Sequence, residues 1–224
     1  MTNRIKTVFF DLDGTLADTA PDLATALNLL LEEKHKSTLP FAEIRPVVSH
    51  GGNALIRLAF NVSEDQPEFK SLRERFLALY QARLHNSTTL FAGMTYVLET
   101  LEKENLTWGV ITNKPAWLTN PLMQQLGLIG RAACIVSGDS TAYSKPHPAP
   151  LQLANEITNT KPESSLYIGD AKRDIEAGRA AGMFTLVACY GYIGDKDKPE
   201  TWNADGMVQS APDIIDWINE FNSK

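Results

Sequence analysis

Four short segments of this 224-residue chain hold the side chains that could do chemistry: Asp11-Leu12-Asp13-Gly14-Thr15, Thr112-Asn113-Lys114, Ser144-Lys145-Pro146, and Gly169-Asp170 with Asp174. Carboxylates are already ionised at neutral pH, so they can attack an electrophile without a base to activate them, or hold a hard cation. Hydroxyls, amides and a lysine are the complementary set, suited to binding and neutralising an anion such as a transferring phosphoryl group. Read alone, Asp11 is a strand-end carboxylate and Lys145 a solvated surface charge. All four segments, however, come in this order, and each stands at the end of an expected strand or in the loop beyond it.

The elements that must position them follow from apolar runs. Thr7–Phe10 is a short apolar run that stops at charged residues and a glycine, the pattern of a buried parallel strand followed by a functional loop. Similar runs end at Thr112, Ser137, Asp170 and Ala188. Helical patterns alternate with them at 94–103, 115–126, 149–156, 174–181 and 212–221, several with a proline near the first turn or a glycine after the last. This alternation predicts an α/β fold, a doubly wound, Rossmann-like parallel sheet covered on both faces. In such a sheet ligands bind in the crevice beyond the carboxyl ends of the strands, so segments distant in sequence would meet there. Residues 16–90 break the alternation and read as helices only, at 21–33, 42–48, 53–60 and 67–84, with no strand. They are expected to form a separate all-helical cap domain, jointed near 18–21 and 91–93 to an α/β core made of 1–15 and 91–224.

On FFDLDGTLADTAPDL, WGVITNKP, SKPHPAPL, YIGDAKRDIEAGRAAG and the later YGYI, the chain resembles the haloacid dehalogenase-like superfamily of phosphatases, in its phosphoglycolate phosphatase-like branch with a helical cap. The resemblance spans nearly the whole chain. It implies Mg²⁺-dependent hydrolysis of a small phosphorylated metabolite through an aspartyl-phosphate. By it, Asp11 is the nucleophile and Asp13 the general acid and base, protonating the leaving alkoxide and then accepting a proton from water. Gly14 would let the chain turn round the phosphate, and Thr15 would cap the segment after it. The implied metal ligands are the Asp11 side chain, the Asp13 backbone carbonyl and Asp170, with Asp174 helping through water. Charge supports a cation there: one like-charge pair at ~4 Å costs ~4 kcal/mol at an effective dielectric of about 20, so clustered carboxylates would repel a phosphate dianion. Hard oxygen ligands beside a phosphate suit Mg²⁺. Lys145, held by Pro146 and Pro148, is the implied phosphate cation. Thr112 would offer a hydroxyl and a backbone N–H to the phosphate, Asn113 would reach the phosphate or metal-bound water, and Lys114 reads as a helix-start charge.

Within the cap, Ser49-His50-Gly51-Gly52-Asn53 opens a helix. A glycine pair before a helix N-terminus is either an anion or substrate loop or a plain inter-helix turn. His50, Gly51 and Gly52 are therefore candidate substrate contacts. Arg57, one turn on, is either a bidentate partner for a substrate carboxylate or merely solvated. His35 and His85 read as exposed helix ends and His147 as structural, while Tyr190-Gly191-Tyr192 carries no assigned chemistry. Three other functions compete. A phosphosugar mutase shares such a core and cap, but Thr112-Asn113-Lys114-Pro115 is similar to the hydrolase branch. A carbon–halogen hydrolase would lack the second aspartate and the metal, and a non-catalytic relative should have lost one of these residues. FAGM, LEKENLTWGVITNKP and MQQLGL are closer to a bacterial phosphatase type acting on N-acetylmuramic acid 6-phosphate than to the glycolate type.

Composition sets the remaining bounds. At 43% hydrophobic residues the chain can bury a sizeable core, and a net charge of −6 disfavours nucleic acid or an anionic membrane as partner. No membrane span or targeting segment is expected, and Cys134 and Cys189 read as two buried free thiols, which together point to the cytoplasm. Oligomeric state is not readable.

Overall fold

The computed structural model describes residues 4–223, so the ends of the expected core, residues 1–3 and 224, lie outside the described residues. The strands are β1 (Thr7–Phe10), β2 (Ala17–Asp18), β3 (Thr89–Leu90), β4 (Thr107–Ile111), β5 (Ile135–Val136), β6 (Ser165–Gly169), β7 (Phe184–Ala188) and β8 (Gly206–Val208). The helices are α1 (Ala20–Glu33), α2 (Phe41–Ile44), α3 (Gly51–Phe60), α4 (Pro67–Gln81), α5 (Met94–Lys103), α6 (Ala116–Gln125), α7 (Ala149–Thr158), α8 (Lys172–Ala180) and α9 (Asp213–Asn222).

Six strands form one parallel sheet in the order β5-β4-β1-β6-β7-β8. β1 lies at its centre, with Val8 opposite Trp108 of β4 and Leu166 of β6. Because β1 is covered on both faces, successive side chains enter different cores. Val8 and Phe10 join the layer closed by α5, α6 and α9, through Val97, Leu122 and Ile214, whereas Phe9 joins Leu151 of α7 and Ala177 of α8. This is the doubly wound α/β architecture expected. The chain leaves β1 toward β4 and leaves β6 toward β7, on opposite sides. The switch point of the sheet is therefore between β1 and β6, where Asp11 and Asp170 stand.

Between β1 and β4 run the helices α1 to α4, which bury a cluster of their own around Leu27, Leu30, Ile56 and Phe76, joined by Leu118 and Tyr192 from beside the sheet. Two expectations are corrected here. The stretch is not free of strands: β2 and β3 pair antiparallel, Ala17 with Leu90 and Asp18 with Thr89, where the helices meet the sheet. A two-residue strand is too short to show a period. The helix expected over 42–48 stops at Ile44 and continues as a 3-10 turn over Arg45–His50. Pro46 lacks the N–H that an α-helical bond would need. β8 carries no apolar run and is a strand the sequence does not announce. Cys134 is buried and Cys189 half-buried, and both are free. No helix among the described residues is long and apolar enough to cross a membrane.

Candidate active site

Asp11, Asp170 and Asp174 are buried and offer carboxylate oxygens that all lie within 4.8 Å of one another. Asp11 follows β1 directly and Asp170 follows β6. Asp174 sits in the first turn of α8, where its Oδ2 accepts the Ala171 N–H at 3.0 Å and caps the helix. Lys145, 3% exposed, lies among them: its Nζ is 2.9 Å from Asp11 and 2.7 Å from Asp174. It is steadied by the Ile111 carbonyl at 3.0 Å and the Tyr167 hydroxyl at 2.7 Å. A lysine so enclosed is a fixed positive charge, not a surface ammonium.

These charges act on one another. Burial pushes the Asp11 carboxyl up, against the downward pull of Lys145. Burial also raises Asp174, but Lys145 and Arg173 outweigh it and hold that carboxyl below its ordinary value. Asp170 is pushed up to about 7, by burial first and then by Asp11 and Asp174. Its Oδ2 accepts the Ser49 hydroxyl and, at 2.9 Å, the Tyr192 N–H, and its Oδ1 accepts Thr15 Oγ1 at 3.3 Å. Thr15 thus holds Asp170 and caps no helix, contrary to expectation. Gly14 has φ +88°, and a Cβ there would fall 2.2 Å from Asp170 Oδ2, so only glycine lets the first loop approach this carboxylate. Buried hard oxygens that resist joint ionisation, as those of Asp11, Asp170 and Asp174 are, fit a divalent cation.

A stability effect arises from this. Asp170 binds its proton more tightly when folded, with a pKa of about 7, than in the unfolded chain, where it is near 3.8. Stability of the metal-free protein should therefore fall as pH rises from about 4 through about 7. The expected result is a lower Tm in EDTA at pH 8 than at pH 5.5, with a smaller drop in Asp170→Asn. An equal drop in both proteins would show that Asp170 is not the group responsible.

Asp13 is half-buried and receives two donors on Oδ1: Thr19 Oγ1 at 2.6 Å and Lys114 Nζ at 2.8 Å. Lys114 is therefore no helix-start charge. Burial opposes its charge, but Asp13 and Tyr80 more than compensate and raise its pKa above the ordinary value. Thr112 reaches the crevice, yet its N–H is bonded to the Val136 carbonyl at 2.9 Å, so only its hydroxyl is left to offer. Asn113 spends both side-chain atoms on the backbone of Lys145, each at 3.0 Å. It positions that lysine and itself lines the crevice.

The crevice above these groups has a volume of about 150 Å³, and Gly51 and Gly52 are among the residues that line it. His50 is exposed and lines a neighbouring cavity with Asp170 and Tyr192. Arg57 is not brought to the crevice. Burial of Ala54, Leu55 and Ile56 turns α3 so that Arg57 points outward, where it pairs with Glu64 on the surface. Two arginines line the crevice: Arg173 of α8 beside the carboxylates, and the exposed Arg73 of α4, whose Nε donates to Asn53 Oδ1 at 2.7 Å. Sequence reasoning does not reach Ser49, Arg73, Tyr80, Tyr167, Arg173 or Tyr192 as site residues. Ser49 and Tyr192 do stand in recognisable segments, beside the glycines of SHGGN and in YGYI.

The model of the family described as haloacid dehalogenase-like hydrolase matches residues 8–188. The chain is 43% identical over 205 residues to the N-acetylmuramic acid 6-phosphate phosphatase of Pseudomonas putida, covering 92% of each chain. It is 39% identical over 209 residues to a phosphoglycolate phosphatase of Xanthomonas campestris pv. campestris, covering 93% of this chain and 94% of the relative. Among solved structures, it is similar to a predicted phosphoglycolate phosphatase from Haemophilus somnus, with a TM-score of 0.84 and 27% identity, covering 95% of this chain and 97% of that one.

Proposed function

This chain belongs to the haloacid dehalogenase-like hydrolase family and is a phosphoric monoester hydrolase, and we propose that it hydrolyses a small carboxylated phosphomonoester through an aspartyl-phosphate on Asp11. The observation that carries this reading is Lys145 set between Asp11 and Asp174, with Asp170 completing the cluster at the switch point of the sheet. Asp11 supplies the attacking carboxylate oxygen. Lys145 neutralises the phosphoryl oxygens next to it, and the Thr112 hydroxyl donates to them. Asp13, with Thr19 and Lys114 both on Oδ1, has Oδ2 for the proton that the leaving alkoxide takes and that the attacking water later returns. When bound, Mg²⁺ supplies charge neutralisation and Lewis acidity at the phosphoryl group, held by the side chains of Asp11 and Asp170 and the Asp13 carbonyl.

Residues 16–90 act in this reading as a cap that closes over the crevice and reads the part of the substrate beyond the phosphate. The two relatives are named for N-acetylmuramic acid 6-phosphate and for phosphoglycolate, and both compounds bear a carboxylate. Arg73 at the rim, not Arg57, is the arginine suited to meet it. The same reading takes the enzyme to be cytoplasmic.

The test is metal dependence. Hydrolysis of p-nitrophenyl phosphate should vanish in excess EDTA and return with Mg²⁺. Ca²⁺, larger and looser in geometry, should bind yet support little turnover. Undiminished hydrolysis in excess EDTA would sink the mechanism.

A further inference from the structure

One wall of the crevice is built unlike the rest. Opposite the carboxylates stand Leu23, Val48, Leu55, Phe76 and Leu77, an apolar surface facing a site otherwise made of charges. At its inner end is Tyr80, fully buried, whose hydroxyl has no acceptor for its proton. The Lys114 ammonium, 4.6 Å from the ring centroid and paired with Asp13, can donate to the phenol oxygen but cannot take its proton. A buried hydroxyl without an acceptor carries an uncompensated desolvation cost, and native proteins keep few such groups. Through Lys114, this one lies a single side chain from Asp13, within the reach of a molecule whose phosphate sits at Asp11.

We propose that this wall selects the substrate: Tyr80 Oη donates a hydrogen bond to an oxygen of the substrate's organic part, while the apolar residues cover apolar substituents on the same part. This deepens the phosphatase reading and rests on it. A phenol held in such a place stays protonated through the working pH range, since burial above all pushes Tyr80 up to about 12, so it serves as a donor and calls for an acceptor. A compact two-carbon phosphate offers the apolar residues nothing to cover. A sugar phosphate carrying methyl groups, amide or ether oxygens and a carboxylate offers each part of the wall its counterpart, with Arg73 at the rim for the carboxylate.

The experiment compares wild type with Tyr80→Phe, which keeps the ring and removes only the hydroxyl. The substrates are N-acetylmuramic acid 6-phosphate, 2-phosphoglycolate and p-nitrophenyl phosphate, each with Mg²⁺. Wild type is expected to favour the sugar phosphate over 2-phosphoglycolate at least tenfold in kcat/KM. Tyr80→Phe should lower kcat/KM for the sugar phosphate at least tenfold more than for p-nitrophenyl phosphate, mainly through KM. Its Tm should stay close to that of wild type, because the hydroxyl that leaves the core has no acceptor there. Equal losses on all substrates, or a lowered Tm, would make Tyr80 a support for Lys114 or for the fold and overturn the proposal. A wild-type preference for 2-phosphoglycolate would also overturn it while leaving the phosphatase reading intact. Failure of wild type to hydrolyse any of the three compounds would overturn both.

Discussion

Asp11→Asn should lose ~10⁴-fold or more of kcat on p-nitrophenyl phosphate, a loss on the scale seen when a covalent nucleophile is removed. The amide keeps an oxygen that can accept the Leu12 N–H, which Asp11 Oδ1 now receives at 2.7 Å. The anion that attacks phosphorus disappears, and its neighbours are already engaged. Asp170 accepts from Ser49, Thr15 and Tyr192, and Asp174 is held by Lys145 and the Ala171 N–H. Fold loss is not the explanation to fear. Burial already raises the Asp11 carboxyl, so exchanging it for a neutral amide should hold or raise the Tm of the metal-free protein. Activity gone with Tm kept is the signature of a lost nucleophile. Retention of more than about a hundredth of wild-type kcat would contradict covalent catalysis, given the size of loss expected.

Lys145→Met is expected to be the most damaging single change to the fold as well as to turnover. The ammonium makes ion pairs with both Asp11 and Asp174 at 1% side-chain exposure. Methionine fills similar volume but strands two buried carboxylates, and breaking a buried pair from one side costs about 3–5 kcal/mol. Much of that cost should depend on pH, and its sign can be worked out. Without the ammonium, both carboxyls have raised pKa values in the folded state, so the folded variant takes up protons that the unfolded chain does not. Its stability is then lost as pH rises through those raised values and recovers as pH falls. Denaturant unfolding at pH 5 and pH 8, in EDTA, should show the gap to wild type widening at the higher pH. A gap that is the same at both pH values would mean that the lysine acts by packing alone. Mg²⁺ should narrow the gap by supplying charge to the same carboxylates, whereas turnover should stay low because the phosphoryl oxygens still lack their lysine.

Much of this site is legible in the sequence, and the reason is local. A parallel strand buried on both faces must be apolar, and it ends where the chain returns to polar residues. Asp11, Asp13, Thr112 and Asp170 come directly after such runs, so their meeting at one edge of the sheet follows from the α/β alternation. Lys145 and Asp174 sit at short fixed distances from those edges. The metal chemistry rests on the same spacing, since clustered carboxylates beside a phosphate require a cation.

Tertiary structure alone decides which side chains lean on these. Lys114 pairs with Asp13 across 101 residues and Ser49 with Asp170 across 121. Tyr167 supports Lys145 from within a strand whose pattern records only that it is buried. The helices of residues 16–90 show the limit most clearly. Arg57 and Arg73 are equally anonymous on α3 and α4, and which of them meets the crevice depends on how each helix is rotated. Burial of Leu55, Ile56 and Phe76 sets that rotation, and with it the choice of Arg73. Tyr80 is the extreme case. Its place in an apolar face marks it as core, and the one fact that gives it a function, a hydroxyl with no acceptor, exists only once every neighbour has been placed. Spacing along the chain determines where charges emerge from a sheet, because a strand's direction is a local property. The lining of a crevice between helices and sheet is a sum of distant packing choices, and no local pattern encodes it.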